Sequence, residues 1–478
     1  MEFNPLGMTV ATLKESILTN NIVILLYDAN MITPHPGPRP LCRLLQDNLH
    51  HLQAQLQHTD LTALARQTGF LRRSPRKIPI PSLVLALVGL AAETALSLER
   101  VAAVIALAAK TTYSKQGLHQ RLSPKLEQFL AQVATALFSR LSLPLKNQGW
   151  LAAFQRVLLH DSTVEPLPEH LATAFPGPRN HRKRRYASLK LQFVCDLLHS
   201  QVLHLSLSGF TRNDQTAAGD ILGLVRPGDL IVRDLGFFVL KVLEQLSLKD
   251  AFFLSRYRHG VNLYDPKTGQ RLDLAAYLRA HRSWDADLWL GEDKLRVRLV
   301  AQPVPEAVAN ERRRKARANR DRRLNPSADH LFLLGWNIFV TNVSRTTWPA
   351  KALQPIYRLR WRVEIIFKAW KSRLGLRQLN CHTADLVRLS VMTKLLFCIA
   401  VYRLCDALEL LGEEPRHVSL LRLARVLAQC ACWFAATLLG VSLTQWLEWH
   451  LNHHAFYERR TDRKNYYQLL EELRPRLA

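Results

Sequence analysis

The most informative segment of the chain is Tyr357-Arg358-Leu359-Arg360-Trp361-Arg362-Val363-Glu364-Ile365-Ile366-Phe367-Lys368-Ala369-Trp370-Lys371. Within it, Tyr357, Arg360, Glu364 and Lys371 lie three, four and seven residues apart, so they share one face of a predicted helix. One carboxylate among two basic groups and a phenol is the pattern of a metal ligand flanked by phosphate-binding residues. The spacing alone equally allows an ordinary ion pair between Glu364 and a basic residue one turn away.

Composition points to a polyanionic partner. The 478 residues carry a net charge of +26, which favours nucleic acid or an anionic membrane surface as the partner. The longest apolar run, Ser82–Ala109, is interrupted by charged residues and predicts buried helices, not a membrane span. The seven cysteines are scattered and odd in number, which predicts reduced thiols in a cytoplasmic protein.

The order Tyr, two residues, Arg, three residues, Glu, six residues, Lys resembles the Y-R-E-K signature of DDE transposases from bacterial insertion sequences, in the IS-four-like group. Tyr357, Arg360, Glu364 and Lys371 match it at every position. The resemblance implies that Glu364 is the third of three catalytic carboxylates. It therefore predicts two aspartates upstream, each at the end of a strand.

Two aspartates fit that expectation. Asp161 ends the apolar run that begins at Val157, and Asp234 ends a second run and is followed by Gly236. Each motif alone is more often a turn cap than a catalytic group, but both resemble the family's motifs and stand in the expected order. Asp196, on another predicted strand, lacks a following turn motif and is interpreted as structural.

The predicted fold class is α/β. Strands are expected at 157–163, 189–198, 203–207, 229–237 and 251–256, with helices at 214–224 and 238–246, which is the ribonuclease-H-like order. The resemblance implies a ribonuclease-H-like catalytic core interrupted by a β-rich insertion, with helical N-terminal DNA-binding and helical C-terminal regions. The predicted domains are an irregular segment (1–40), a helical DNA-end-binding domain (41–145), the first part of the core (146–260), the insertion (261–349), the core helix with the third carboxylate (350–384) and the helical C-terminal region (385–478).

A helix-turn-helix is predicted between Leu98 and Leu122. Its second helix would present side chains suited to phosphates and base edges, namely Lys115, Gln116, His119 and Arg121. An ordinary helical bundle with a solvated face fits the same pattern. A basic loop at 176–186 is a further candidate phosphate clamp.

The insertion is predicted to be mostly short strands, including 272–278 and 331–342, with a basic helix at 311–323. In a relative of the IS-four-like group, a tryptophan of the insertion receives a flipped base beside the cut, and Trp336 resembles its counterpart. A core tryptophan on a buried strand is the equal alternative for Trp336.

The resemblance implies a two-metal reaction. Asp161, Asp234 and Glu364 are expected to hold two Mg²⁺ (or Mn²⁺) ions, while Tyr357, Arg360 and Lys371 hold the phosphate beside the cut. The expected partners are double-stranded DNA, both the element's terminal inverted repeats and the target, and a second copy of the chain in the DNA complex, with no membrane. The enzyme would be nucleoid-associated when bound to DNA. Two alternatives remain open, a catalytically inactive repressor derived from a transposase and a ribonuclease-H-like nuclease without strand transfer.

Overall fold

The computed structural model of the protein describes residues 60–73, 78–91, 98–99, 101–102, 105, 114–139, 149–178, 186–199, 201–318, 326–373, 382–411, 417–429 and 468. They divide into two compact units. We call the unit formed by Ser142–Val164, Phe175–Glu364 and Arg463–Ala478 the sheet unit. The helical unit comprises Met1–Leu141, Glu165–Ala174 and Ile365–Asp462.

The strands, in chain order, are β1 Val157–Leu167, β2 Ala187–Asp196, β3 Gln201–Gly209, β4 Leu230–Arg233, β5 Phe252–Arg256, β6 Leu263–Tyr264, β7 Arg271–Leu272, β8 Trp284–Leu290, β9 Leu295–Pro303 and β10 Trp336–Thr341. They form one sheet in the order β3-β2-β1-β4-β5-β10-β9-β8-β6-β7. β1, β4 and β5 are parallel neighbours. The pairs β2–β3, β5–β10, β10–β9 and β9–β8 are antiparallel.

The helices, in chain order, are α1 Leu61–Gln67, α2 Ile80–Leu90, α3 Lys115–His119, α4 Pro124–Ser139, α5 Asp214–Ala217, α6 Leu240–Leu248, α7 Leu274–Ala280, α8 Glu306–Arg317, α9 Ala328–Leu333, α10 Leu353–Arg358, α11 Trp361–Arg373, α12 Ala384–Leu411 and α13 Leu420–Gln429. Side chains cap several of them: the Asp273 carboxylate accepts from the Ala276 N–H and the Ser327 hydroxyl from the His330 N–H. Such caps satisfy backbone donors that the first helical turn leaves unpaired.

One hydrophobic core covers one face of the sheet. Leu158 of β1, Ile231 of β4, Phe253 of β5 and Val340 of β10 are all buried in it, together with residues of α6 and α7. Because side chains alternate across a strand, the neighbouring residues on these strands face the other side of the sheet. That opposite face carries the residues described in the next subsection.

In the sheet unit, the five strands predicted before residue 260 are confirmed. One element prediction is wrong and two are only partly right. Residues 272–278 are mostly the helix α7, because Asp273 caps a helical start at a place where apolar periodicity alone was ambiguous. The predicted strand 331–342 is the helix α9 followed by β10. The predicted helix 214–224 is the single turn α5, continued as a 3-10 helix over Ala218–Gly223.

The predicted single helix through Tyr357 and Lys371 is two helices. α10 ends at Arg358 and α11 begins at Trp361, with Leu359 and Arg360 in the turn between them. The break places Arg360 in the turn, yet its guanidinium still pairs with Glu364 four residues later at 2.7 Å, which is the local ion pair that the spacing also allowed.

The helical unit contains α1–α4, α12, α13 and most of α11. The α12 residue Arg388 pairs with Glu127 of α4 at 3.2 Å, and the Lys394 ammonium donates to the carbonyl of Ala91. Helices are expected in the regions 41–145 and 385–478, and the described residues of these regions form α1–α4, α12 and α13. The predicted segment 1–40, and residues 41–59 and 430–467 of the two helical regions, lie outside the described residues.

Candidate active site

The first two proposed carboxylates lie side by side where β4 ends. His160 of β1 pairs with Arg233 of β4 in parallel register, so the next residues, Asp161 and Asp234, are neighbours across the two strands. The Asp161 side chain is largely buried, with 13% of its surface exposed, whereas 46% of Asp234 is exposed. Both lie on the sheet face opposite the hydrophobic core, because Leu158 and Ile231 are three residues earlier on their strands.

Glu364 joins this pair through Arg360. One guanidinium nitrogen of Arg360 lies 2.9 Å from Asp161 Oδ2, a second lies 2.7 Å from Glu364 Oε1, and Nε lies 3.7 Å from Asp234 Oδ1. Residues separated by about two hundred positions in the sequence therefore converge on one cation. Arg360 is itself 11% exposed, so these ion pairs are only partly screened by water.

The electrostatics of the site reflect this crowding of carboxylates. Burial raises the pKa of Asp161 to about 6, even though Arg360 acts to lower it. Burial would lower the pKa of Arg360, but Asp234 and Asp161 raise it above its usual value. A cation at this position therefore stabilises the ionised form of the carboxylates.

The chemistry of the donor set fits a divalent ion. Three carboxylates supply the hard oxygen ligands that Mg²⁺ and Mn²⁺ prefer. In the part of the chain that the structure describes, no three ligand-type side chains are grouped closely enough to share one ion. The Arg360 guanidinium instead pairs with both the Asp161 and the Glu364 carboxylates.

A fourth carboxylate, which sequence reasoning missed, supports the Asp161 segment. Asp214 accepts a hydrogen bond from the Ser162 hydroxyl at 2.6 Å and lies 2.7 Å from the buried ammonium of Lys190. A Cβ on Gly236 would come within 3.0 Å of the Asp214 carboxylate. Asp214 therefore lies against both aspartate motifs, at Ser162 after Asp161 and at Gly236 after Asp234. The polar Lys190 at a fully buried strand position was the available sequence signal.

Tyr357 and Lys371 differ in their surroundings. The buried Tyr357 ring lies 5.4 Å from the Phe339 ring, and the guanidinium carbons of Arg256 and Arg360 each lie 5.9 Å from its centre. Burial, followed by the charge of Asp234, raises the pKa of Tyr357 to about 12. Lys371 belongs to the helical unit, where its ammonium is 2.5 Å from the buried Glu165.

Trp336 opens β10 on the core side of the sheet. It is half-buried against the hydrophobic core, and its ring centre lies 6.2 Å from that of Phe332. Phe339, three residues later, contacts Tyr357 on the opposite face, so strand alternation directs the two aromatic side chains to opposite sides. This arrangement matches the core-tryptophan alternative, and the base-flipping role of Trp336 stays a prediction.

The N-terminal candidates lie on and just after the short helix α3. The Ser114 hydroxyl caps this helix, and Lys115, Gln116 and His119 are exposed while Arg121 is half-buried. The turn predicted before α3 and the basic run 179–185 lie outside the described residues. Asp196, interpreted from sequence as structural, is fully buried and accepts hydrogen bonds from the backbone N–H groups of Val157 and Leu198.

Comparisons with known proteins agree with this site. The family model described as "Transposase DDE domain" matches residues 152–400, a range that contains all three carboxylates. A transposase for insertion sequence element IS231D of Bacillus thuringiensis subsp. finitimus is 30% identical over 375 residues, covering 71% of this chain and 78% of the relative. The transposase for IS231B of Bacillus thuringiensis subsp. berliner is 29% identical over 374 residues, with the same coverage. The transposase for IS1151 of Clostridium perfringens is 25% identical over 289 residues, covering 56% of this chain and 61% of the relative.

The range matched by the family model covers the sheet and the helix that bring Asp161, Asp234 and Glu364 together. Among the described helices, none is long and apolar enough to cross a membrane. The basic composition fits an enzyme whose partner is DNA. The chain belongs to the DDE transposase family, and it is an insertion-sequence transposase that acts on DNA.

Proposed function

We propose that this transposase cleaves DNA at the ends of its insertion sequence and joins the freed ends to target DNA, in cut-and-paste transposition, with Asp161, Asp234 and Glu364 as the catalytic and metal-binding carboxylates. The observation that carries this proposal is that all three carboxylates pair with one guanidinium, that of Arg360. Acids so far apart in the sequence have no local structural reason to converge.

The sheet supports a ribonuclease-H-like core for the reaction. β1, β4 and β5 are parallel, β2 and β3 are antiparallel to each other, and the five strands lie in the order β3-β2-β1-β4-β5. The residues of 261–349 add β6–β10 as an extension of that sheet, as a β-rich insertion would. The proposed domain limits at 146, 261, 350 and 385 follow from this assignment, with the helical regions before and after it.

The residues of the chain would divide the work as follows. Asp161, Asp234 and Glu364 would hold two Mg²⁺ ions, which supply charge stabilisation and activation of water or a 3′-hydroxyl for in-line displacement at phosphorus. Arg360 can place two parallel N–H donors on a phosphate, and Tyr357 and Lys371 would complete the Y-R-E-K set of the IS-four-like group. Asp214 holds Ser162, and through it the backbone beside Asp161.

The remaining parts would engage the DNA beyond the cut. Lys115, Gln116, His119 and Arg121 would contact the terminal repeat, supported by the exposure of three of them on one short helix. Trp336 is kept as the candidate for base stacking. Two ends must be cut, so two copies of the chain would assemble on the paired ends.

The decisive experiment compares cleavage of labelled DNA carrying the element's own terminal repeats, with Mg²⁺, by wild type and by Asp161→Ala, Asp234→Ala and Glu364→Ala. Each variant is expected to bind the end and to lose cleavage by at least about a thousandfold, because each removes a ligand of the ions that stabilise the transition state. Asp293→Ala, an exposed acid in the β8–β9 turn, is the matched control and should cut normally.

The same experiment separates the alternatives. Wild type that binds the end and never cuts would identify a repressor derived from a transposase. Cleavage without joining to a target plasmid would identify a nuclease. Full cleavage by Glu364→Ala would contradict the assignment of the third carboxylate.

A further inference from the structure

We propose that Arg256 of β5 and Arg312 of α8 form one binding site for a single DNA phosphodiester, outside the Y-R-E-K set. The inference rests on the proposed function in one respect, that the phosphodiester belongs to the strand held at the carboxylates. Arg256 lies beside Asp234, hydrogen bonds orient the two guanidiniums, and neither has a carboxylate partner among the described residues.

Arg256 lies beside Asp234 in the sheet. Val232 of β4 pairs with Leu254 of β5, so Asp234 and Arg256, each two residues further along, lie in neighbouring positions on the same face. Arg256 in turn pairs with Phe339 of β10. Neighbouring strands are about 4.8 Å apart, so Arg256 lies one strand from Asp234, on the side away from Asp161.

Hydrogen bonds from Arg256 and Arg312 to a shared acceptor orient the two guanidiniums. The side-chain oxygen of Asn337, which is buried, accepts from Arg256 Nη2 at 3.3 Å and from Arg312 Nη2 at 2.8 Å. Arg312 Nη1 also donates to the carbonyl of Trp336 at 3.1 Å. A neutral amide thus holds two guanidiniums within reach of one acceptor, and it leaves both positive charges intact.

The positive charges of Arg256 and Arg312 are the next feature of this pair. Among the described residues, Arg256 and Arg312 have no carboxylate within ion-pair distance, and neither is fully buried. Their neighbours on α8 differ, since Arg313 pairs with Glu306, and Arg314 and Lys315 both pair with Glu311. Burial lowers the pKa of Arg312, and the nearby charge of Arg256 lowers it further, so the two cations repel each other. An anion between them would remove that repulsion.

The shape and charge of the two guanidiniums favour a phosphate as the bound anion. A planar guanidinium matches phosphate oxygens with two donors, and two guanidiniums on one acceptor suit a group with several oxygens and a full negative charge. DNA is the polyanion on which this enzyme acts. A backbone phosphate next to the carboxylates is therefore the ligand, and free phosphate is the alternative source that the experiment separates.

The experiment measures binding of a short fluorescein-labelled DNA duplex of arbitrary sequence over a range of NaCl concentrations, in EDTA so that no cleavage occurs. Wild type is compared with Arg256→Gln, Arg312→Gln, the double variant and Asn337→Asp. The control is Arg345→Gln, because Arg345 is already neutralised by Asp285 and Asp287. Thermal melting of each variant checks that it folds.

A shared phosphate makes a specific prediction. The double variant is expected to bind roughly tenfold more weakly at low salt, and the slope of log K against log salt should fall by about 0.9, the value for one phosphate. Asn337→Asp should produce the same change, because its carboxylate occupies the place of the phosphate. Arg345→Gln should match wild type.

Three results would overturn the proposal. The first is an unchanged slope of log K against log salt in both the double variant and Asn337→Asp. The second is a slope that falls by about 1.8 in the double variant, the value for two phosphates. The third is that inorganic phosphate stabilises wild type against heat but not the double variant, while the double variant keeps the wild-type slope for DNA. If a Gln variant fails to fold, Arg256→Lys with Arg312→Lys replaces it, and a wild-type slope with weaker binding supports the proposal. Because no cleavage is measured, a protein that binds DNA but cannot cut gives the same readout, so failure of the proposed function is seen separately.

Discussion

At the level of single residues, Arg360 has two roles. It pairs with all three carboxylates, and as part of the Y-R-E-K set it is proposed to hold a phosphate. Both roles are satisfied if the guanidinium stabilises the carboxylates before metal binds and contacts the phosphate afterwards. Removing Arg360 therefore leaves three acids close together without their cation.

The first prediction concerns metal binding without DNA. Arg360→Gln is expected to bind Mn²⁺ roughly tenfold more tightly than wild type, because the ion no longer competes with charged hydrogen bonds to the same carboxylates. Isothermal titration calorimetry, or electron paramagnetic resonance of free Mn²⁺, measures the affinity directly.

Arg345→Gln is the control, since Arg345 also pairs with two acids but at a distance from the site. Its Mn²⁺ affinity should equal that of wild type. Weaker Mn²⁺ binding by Arg360→Gln would show that Arg360 helps to build the metal site and does not compete for it.

At the level of elements, the strand pair β8–β9 anchors the segment that leads into α10. Arg298 of β9 is buried, makes two hydrogen bonds with Asp285 of β8 at 2.8 and 2.6 Å, and donates to the carbonyl of Trp348 at 2.7 Å. The indole N–H of Trp348 donates to the carbonyl of Trp150 at 2.6 Å. One buried cation therefore connects the extension of the sheet to the segment before Tyr357.

The second prediction tests that connection. Arg298→Gln is expected to lower the free energy of unfolding by about 1.5–3 kcal/mol, because it removes the charged hydrogen bonds of a buried guanidinium, while the partly exposed Asp285 keeps Arg345 as a partner. Arg296→Gln changes an exposed arginine of the same strand and should cost less than about 0.5 kcal/mol. Urea denaturation followed by tryptophan fluorescence measures both, and equal losses would disprove the anchoring role.

At the level of the whole molecule, the net charge of the chain and the number of active sites it carries determine how the enzyme binds DNA. A net charge of +26 gives a strong and salt-dependent attraction to DNA of any sequence. The described residues contain one set of three carboxylates joined by Arg360. We therefore predict that two chains assemble on the two ends to be cut.

The third prediction is the stoichiometry of the end complex. Mass photometry of the protein mixed with DNA carrying the terminal repeat should show two protein chains and two DNA ends, with no such species on DNA that lacks the repeat. A complex of one chain with one end that still cuts would contradict the assembly.

The sequence was sufficient for the parts of this protein that depend on local pattern. Apolar runs predicted β1 and β4, since a buried strand needs little more than a continuous apolar segment. Asp234 follows the end of β4 as expected, whereas Asp161 lies inside β1, which continues to Leu167. The order of strands and helices before residue 260 followed in the same way. The spacing of Tyr357, Arg360, Glu364 and Lys371 was enough to indicate the family, which the comparisons confirm at the level of a DDE insertion-sequence transposase.

What the tertiary structure decided depends on contacts between distant segments. The helix through Arg360 is broken, and the guanidinium is placed by carboxylates on two strands that periodicity cannot reveal. The contacts of Asp214 and Asn337 depend on strand register. The same is true of Arg256 and Arg312, for which the described residues provide no carboxylate partner. The physical reason is that local sequence determines which face a side chain occupies along its own element, while burial and ion pairing depend on which element lies opposite it.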